Sequence, residues 1–189
     1  MDELKQKKSK VVFQFKITLR DIKPVIWRRI QVPATYSFWD LHVAIQGAMG
    51  WTDSHLHEFK IINPEDGKLH TMTIFLDGEP YCDDLCFDDD KKIYDYFSEE
   101  NTKASYLYDF GDGWEHDIVL EQILPKITGE KYPKIMNGER ACPPEDCGST
   151  PGYENFVAIM KNKKHPEYKE MLEWYGKRYE PTEEKCHSV

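Results

Sequence analysis

YLYDFGDGWEHDIVLE, residues 106–121, decides how the rest of the chain is read. Two alternating runs flank a Gly-Asp-Gly tip, the pattern of a β-hairpin. Tyr106, Tyr108 and Phe110 share one face of the incoming strand. Trp114, Ile118 and Leu120 share a face of the outgoing strand, with His116 among them. Gly111 and Gly113 supply the positive φ that tight turns need. Two registers are open. A two-residue loop at Asp112-Gly113 sets Asp109 opposite His116, within hydrogen-bonding reach. A three-residue loop over 111–113 with a bulge sets Tyr108 opposite His116 and brings Phe110 beside Trp114. The second register is preferred because it pairs two apolar rings on one face.

Working back towards the N-terminus, Val11, Phe13, Phe15, Ile17 and Leu19 alternate with more polar residues, a strand with one buried face. A turn ending at Pro24 leads to a second strand over 25–32, stopped by Pro33. Ser37 opens a helix, with Asp40 at capping-box spacing, and Phe38, Leu41, Ile45, Ala48 and Met49 form its apolar stripe. Gly50 is placed to end that helix in left-handed geometry. Strands are expected over 55–62 and 69–76, then an acidic loop over 77–90 and a short helix within 91–98. After the hairpin, residues 127–148 are rich in Pro and Gly and are expected to form an irregular loop over the core. Two helices close the chain. One carries Tyr153, Phe156, Val157 and Met160 as its stripe, the other Tyr168, Met171, Leu172 and Tyr175. The order ββαββ(α)ββαα predicts an α+β domain: a mostly antiparallel, hairpin-rich sheet with helices packed on one face.

The 189 residues suit one domain, over 11–181, between a charged N-terminal arm at 1–10 and a tail at 182–189. A chain of this length buries roughly 70% of its unfolded surface and needs no metal or disulfide to fold. Eleven Tyr, nine Phe and five Trp argue for a packed core. The net charge of −9 opposes non-specific nucleic-acid binding, which draws its affinity from phosphate neutralisation. The opening MDELKQKKSK has no apolar core and is no signal peptide, and no run of about 18 apolar residues suits a membrane span. Five Cys without an export signal point to the cytoplasm and to reduced thiols.

Several residues carry possible chemistry. Arg28 and Arg29 point to opposite faces of their strand, so one of them reaches a covered face or a cleft. Either an ion pair or an anion-binding fork follows. His55 and His57 share a strand face, and two imidazoles at that spacing can bind one metal, with His116 or Asp109 as a third ligand. His42, beside the helix stripe, reads as a packing residue. Cys82 with Cys86 and Cys142 with Cys147 could in principle supply four thiolates. Their CxxxC and CxxxxC spacings differ from the usual zinc knuckle, which leaves Cys142 and Cys147 as a weaker local metal or disulfide pair.

KPVIWRRIQVP (residues 23–33), AIQGAMGWTDSHLHEFKI (44–61), YDFGDGWEHDIVLE (108–121) and ACPPEDCGSTPGY (141–153) together resemble the plasmid pRiA4b ORF-three-like family, over about residues 13–181. The resemblance implies a plasmid- or transposon-associated passenger, sometimes given a resolvase-like label, with no established reaction. It brings no catalytic assignment, only motif positions: Trp27, Arg28, Arg29, His55, His57, Asp109, Asp112, Trp114 and His116. A recombinase needs a nucleophilic Ser or Tyr among supporting arginines, which these motifs lack.

Three functions compete. The first is a binding or interaction module for a protein or small molecule. Its cleft would lie between the hairpin tip, the His55–His57 strand and the Pro-rich loop. Trp51, Trp114 and Tyr153 would supply contact area, and Arg28 or Arg29 an anchor. The second is a metal-dependent hydrolase or nuclease, with His55, His57, Asp109 and His116 on a divalent ion and Glu58 or Asp112 as base. The third is a structural or regulatory domain whose motifs only define the fold. No cofactor is predicted apart from that divalent metal.

Overall fold

A computed structural model describes residues 8–73, 85–87, 91–176 and 179. The described strands form one eight-stranded sheet. In chain order the elements are β1 (Val11–Leu19), β2 (Ile26–Pro33), α1 (Phe38–Met49), β3 (His57–Ile62), β4 (Leu69–Thr73), β5 (Leu85–Phe87), α2 (Ile93–Tyr96), β6 (Lys103–Tyr108), β7 (Trp114–Pro125), β8 (Lys134–Glu139), α3 (Ser149–Lys161) and α4 (Tyr168–Tyr175). The sheet order is β5-β4-β3-β6-β7-β1-β2-β8. Neighbours pair antiparallel except β4 with β5. The fold is α+β.

The sheet is one-sided, as the alternation of β1 requires. Phe13, Phe15, Ile17 and Leu19 are buried against the helices with Ile26, Ile30, Phe59, Tyr106, Tyr108 and Ile118. Lys16, Thr18, Arg29, Gln31, Asp117 and Glu121 occupy the other face, half-buried or exposed. Across that face Arg29 grips Glu121 through both Nε (2.5 Å) and Nη2 (2.8 Å), and Arg20 reaches Asp117.

α1 forms where its caps specify. Ser37 Oγ accepts the Asp40 N–H, and Asp40 Oδ2 accepts the Ser37 N–H, a complete capping box. At the other end Gly50, at φ 80°, donates its N–H to the Gln46 carbonyl. Phe38 meets Phe59 at 5.3 Å between ring centres, which seats α1 on β3. α3 and α4 pack through Phe156 against Trp174 and Tyr175, and Tyr153 and Phe156 join the common core.

Two expectations are corrected. Residues 127–148 are not wholly irregular, because 134–139 form β8, an edge strand paired with β2. Its composition hid it: KIMNGE has neither alternation nor β-branched density, and an edge strand needs neither. The hairpin takes neither expected register. Tyr108 pairs Trp114 and Tyr106 pairs His116, which leaves a five-residue loop over 109–113. Asp109 turns the chain at φ 57° and its Oδ1 accepts the N–H groups of Gly111 and Asp112. Its carbonyl accepts Gly113 N–H. That side-chain cap makes a longer turn self-sufficient. Phe110 is therefore exposed at the tip rather than packed beside Trp114.

The expected arm over 1–10 lies outside the described residues up to residue 7. So do the tail at 182–189, the end of the expected strand at 74–76, and most of the acidic loop, including Cys82. Of Cys86 only the backbone, in β5, is described.

Candidate functional site

The loop between α1 and β3, the hairpin tip and the Pro-rich stretch before α3 meet at one rim of the sheet. Asp112 Oδ2 accepts the Gly148 N–H at 3.1 Å. Glu145 Oε1 accepts the Thr52 N–H at 2.8 Å and the Tyr108 hydroxyl at 3.0 Å. Burial, followed by the neighbouring Glu145 carboxylate, raises the Tyr108 pKa, so the phenol stays a neutral donor.

His55 stands at the centre. Its Nε2 lies 3.1 Å from Asp146 Oδ1, 3.6 Å from Asp109 Oδ2 and 3.9 Å from Glu145 Oε2. The atom is buried yet makes no hydrogen bond, because the nearby oxygens lie off its donor direction. Asp109 is buried and Asp146 largely exposed, so the cluster opens to solvent on one side. Asp109 at φ 57° and Asp146 at φ 54° both take the left-handed conformation that Asp tolerates better than most residues. Beside them, Cys147 has its thiol pKa pushed up to about 12, first by burial and then by Asp112, Asp146 and Asp109. It is a thiol, not a reactive thiolate.

A second cluster lies inside. Gln46 Nε2 donates to the Tyr106 hydroxyl (3.1 Å), which reaches His42 Nδ1 (2.8 Å). His42 Nε2 meets Asp53 Oδ1 (2.8 Å), and the Asp53 N–H returns to Gln46 Oε1 (3.0 Å). With Gln46 donating to the phenol oxygen, the phenol proton goes to His42 Nδ1, and the imidazole donates from Nε2 to Asp53. The His57 ring stacks on His42 at 3.5 Å and 7°.

The expected site residues therefore divide. His55, Asp109 and Asp112 come together at the rim. His57 stacks inside, and His116 is fully buried on the same sheet face, with Nδ1 3.3 Å from the Tyr106 carbonyl oxygen. Burial holds the His116 pKa down, to about 4, so it is a neutral core histidine. Trp51, Trp114 and Tyr153 do not supply accessible contact area, since each is buried. Trp51 stacks on Tyr108 and donates Nε1–H to the Pro143 carbonyl. Arg28 is not an anion anchor. Its guanidinium is spent on the carbonyls of Ala48, Trp27, Glu139 and Arg140 and on Cys142 Sγ. Arg29 is the surface ion pair. Cys142 and Cys147 are not joined in a disulfide, and Cys142 is buried against Met49 Sδ.

Sequence reasoning missed Glu145 and Asp146. The signal was the acidic pair inside CPPEDC, read for its cysteines instead. It also missed Trp174, which is half exposed and lies between two cavities. One, of about 470 Å³, is lined by Met49, Pro143, Glu145, Asp146, Trp174 and Tyr175 among others. The other, of about 490 Å³, runs from Asp146 and Cys147 past Phe156 to Glu170, Met171 and Trp174.

A family profile described as "Plasmid pRiA4b ORF-3-like protein" matches residues 11–187. The chain is 36% identical over 168 residues to "Uncharacterized protein y4hQ" of Sinorhizobium fredii (strain NBRC 101917 / NGR234), covering 87% of this chain and 81% of that protein. It is also similar to the crystal structure of "Protein of Unknown Function MM3350" from Methanosarcina mazei Go1. That likeness has a TM-score of 0.83 and 42% identity, over 92% of this chain and 94% of the other.

Proposed function

The chain belongs to the plasmid pRiA4b ORF-3-like family, which has no assigned reaction, and from that premise we propose that it is a ligand-binding module rather than an enzyme acting through its core histidines. The observation that carries this reading is the pair of cavities, about 470 and 490 Å³, that meet at Asp146 and the exposed face of Trp174. Each has the volume of a small-molecule site. Their walls are apolar at Met49, Pro143, Phe156 and Met171 and acidic at Glu145, Asp146, Glu167 and Glu170. The one lining guanidinium, that of Arg28, is turned to carbonyl oxygens.

The occupant this chemistry fits is an uncharged or cationic small molecule with a flat apolar portion for the indole of Trp174. Among the described residues no helix is long and apolar enough to cross a membrane. The net charge of −9 supports a partner other than nucleic acid.

A thermal-shift screen of uncharged and cationic small molecules, run on wild type and Trp174→Ala, tests the reading. Trp174 is half exposed but packs on Phe156, so circular dichroism first confirms that the variant is folded. Compounds that raise the wild-type Tm are expected to lose most of that effect in the variant. A library with no stabilising compound, or stabilisation indifferent to the substitution, would count against the module.

A further inference from the structure

We propose that His55, Asp109 and Asp146 form a site for one first-row divalent cation, Zn²⁺ or Mn²⁺, with Glu145 as an adjacent third carboxylate. The inference does not depend on what fills the cavities.

Spacing comes first. One ligand atom from each of His55, Asp109 and Asp146 lies within 4.8 Å of the other two. Ligands about 2.0–2.2 Å from a common ion stand roughly 3–3.5 Å from one another in tetrahedral or octahedral geometry. The imidazole Nε2 is already 3.1 Å from Asp146 and 3.6 Å from Asp109, so the set closes on an ion with small side-chain rotations. Asp146 is 70% exposed in its side chain and is free to make such a rotation.

An ion pair between a protonated His55 and its neighbours is the competing account, and the geometry argues against it. Three carboxylates come within 4 Å of one nitrogen, yet none takes a hydrogen bond from it. They surround the atom without facing its donor direction, as groups do that converge on a shared point. The two fixed carboxylates are held from behind. Asp109 Oδ1 is tied to the Gly111 and Asp112 N–H groups, which leaves Oδ2 towards His55. Glu145 is tied by Thr52 and by the Tyr108 hydroxyl. Such outer partners preorganise ligands for a metal. Three carboxylates around one imidazole also leave an uncompensated negative charge that a divalent ion neutralises.

The donor set names the class of ion. One imidazole nitrogen with carboxylate oxygens suits Zn²⁺ or Mn²⁺ better than Mg²⁺ or Ca²⁺, which favour all-oxygen shells. The inner cluster of His42, Asp53 and His57 has donor atoms equally close together. It is the poorer site, because both His42 nitrogens already have partners and its ring lies flat on that of His57.

The test is isothermal titration of the full chain, without a polyhistidine tag, with ZnCl₂ and separately with MnCl₂, on wild type, His55→Gln and Asp146→Asn. Circular dichroism first confirms that each variant is folded, and the exposed Asp146 gives a variant that packing does not threaten. Wild type is expected to take up one ion per chain. Affinity should fall at least tenfold in Asp146→Asn and by a hundredfold or more in His55→Gln. Absence of binding in wild type with both ions, or equal affinity in folded variants, overturns the proposal.

Discussion

His42, Asp53 and His57 on one side, and His55, Asp109 and Asp146 on the other, use the same residue types, and the structure finishes them in opposite ways. The inner set is closed. Gln46, Tyr106, His42 and Asp53 form a ring of hydrogen bonds in which each polar group answers the next, and His57 stacks across it. The rim set is open, since its central nitrogen has three anionic neighbours and no hydrogen bond. A buried polar network that is fully satisfied serves the fold, whereas convergent groups left short of a partner at a solvent-facing rim are those that can take a ligand. Residue type alone does not separate the two, but hydrogen-bond bookkeeping does.

The contrast can be broken most forcefully from the core side. Trp114, 2% exposed, stands in the family motif and was expected to contact a ligand. If it is core, Trp114→Ala should cost about 3–5 kcal/mol in urea unfolding. A loss under 1 kcal/mol would return it to the binding surface.

His116 gives the next effect. Its pKa falls from 6.5 unfolded to about 4 folded, through burial. Between those values the unfolded state binds more protons, so its contribution to stability is complete above about pH 6.5 and is lost as the pH falls towards 4. The loss amounts to about 3 kcal/mol. Stability measured from pH 7 to 4 should therefore fall more steeply in wild type than in His116→Gln. Parallel curves would mean that the imidazole is solvated.

Tyr106→Phe opens the inner ring of hydrogen bonds. It removes the hydroxyl shared by Gln46 and His42, at an expected cost of about 1–3 kcal/mol, while cation affinity stays unchanged. Lost cation binding in the folded variant would place the ion inside. The smallest change in stability belongs to Asp146→Asn, expected within about 0.5 kcal/mol by the same urea titration. A larger loss would show that the rim carboxylate is structural.

Much of the fold was legible because local chemistry and tertiary need agree there. The alternation of β1, the Ser37–Asp40 box and the glycine after Met49 each point the same way as the packing. β8 was not legible, because an edge strand borrows its conformation from β2 and its own residues record little of it. The hairpin register escaped because Asp109 enters the left-handed region and caps the loop with its own side chain. Asp at that position equally allows a shorter turn. The site was half legible. His55 and Asp109 stand in the motifs that drew attention. Asp146 sits in a proline-rich loop whose position over the rim depends on long-range contacts, from Thr52 to Glu145 and from Gly148 to Asp112. The aromatics misled for a related reason: Trp51, Trp114 and Tyr153 could line a cleft or fill a core, and sequence does not report depth.

The most direct measurement is an anomalous difference map from crystals of the full chain grown with ZnCl₂. One peak is expected about 2 Å from His55 Nε2 and from carboxylate oxygens of Asp109 and Asp146. A peak between His42, Asp53 and His57, or a zinc-bound chain with no density at the rim, would contradict it.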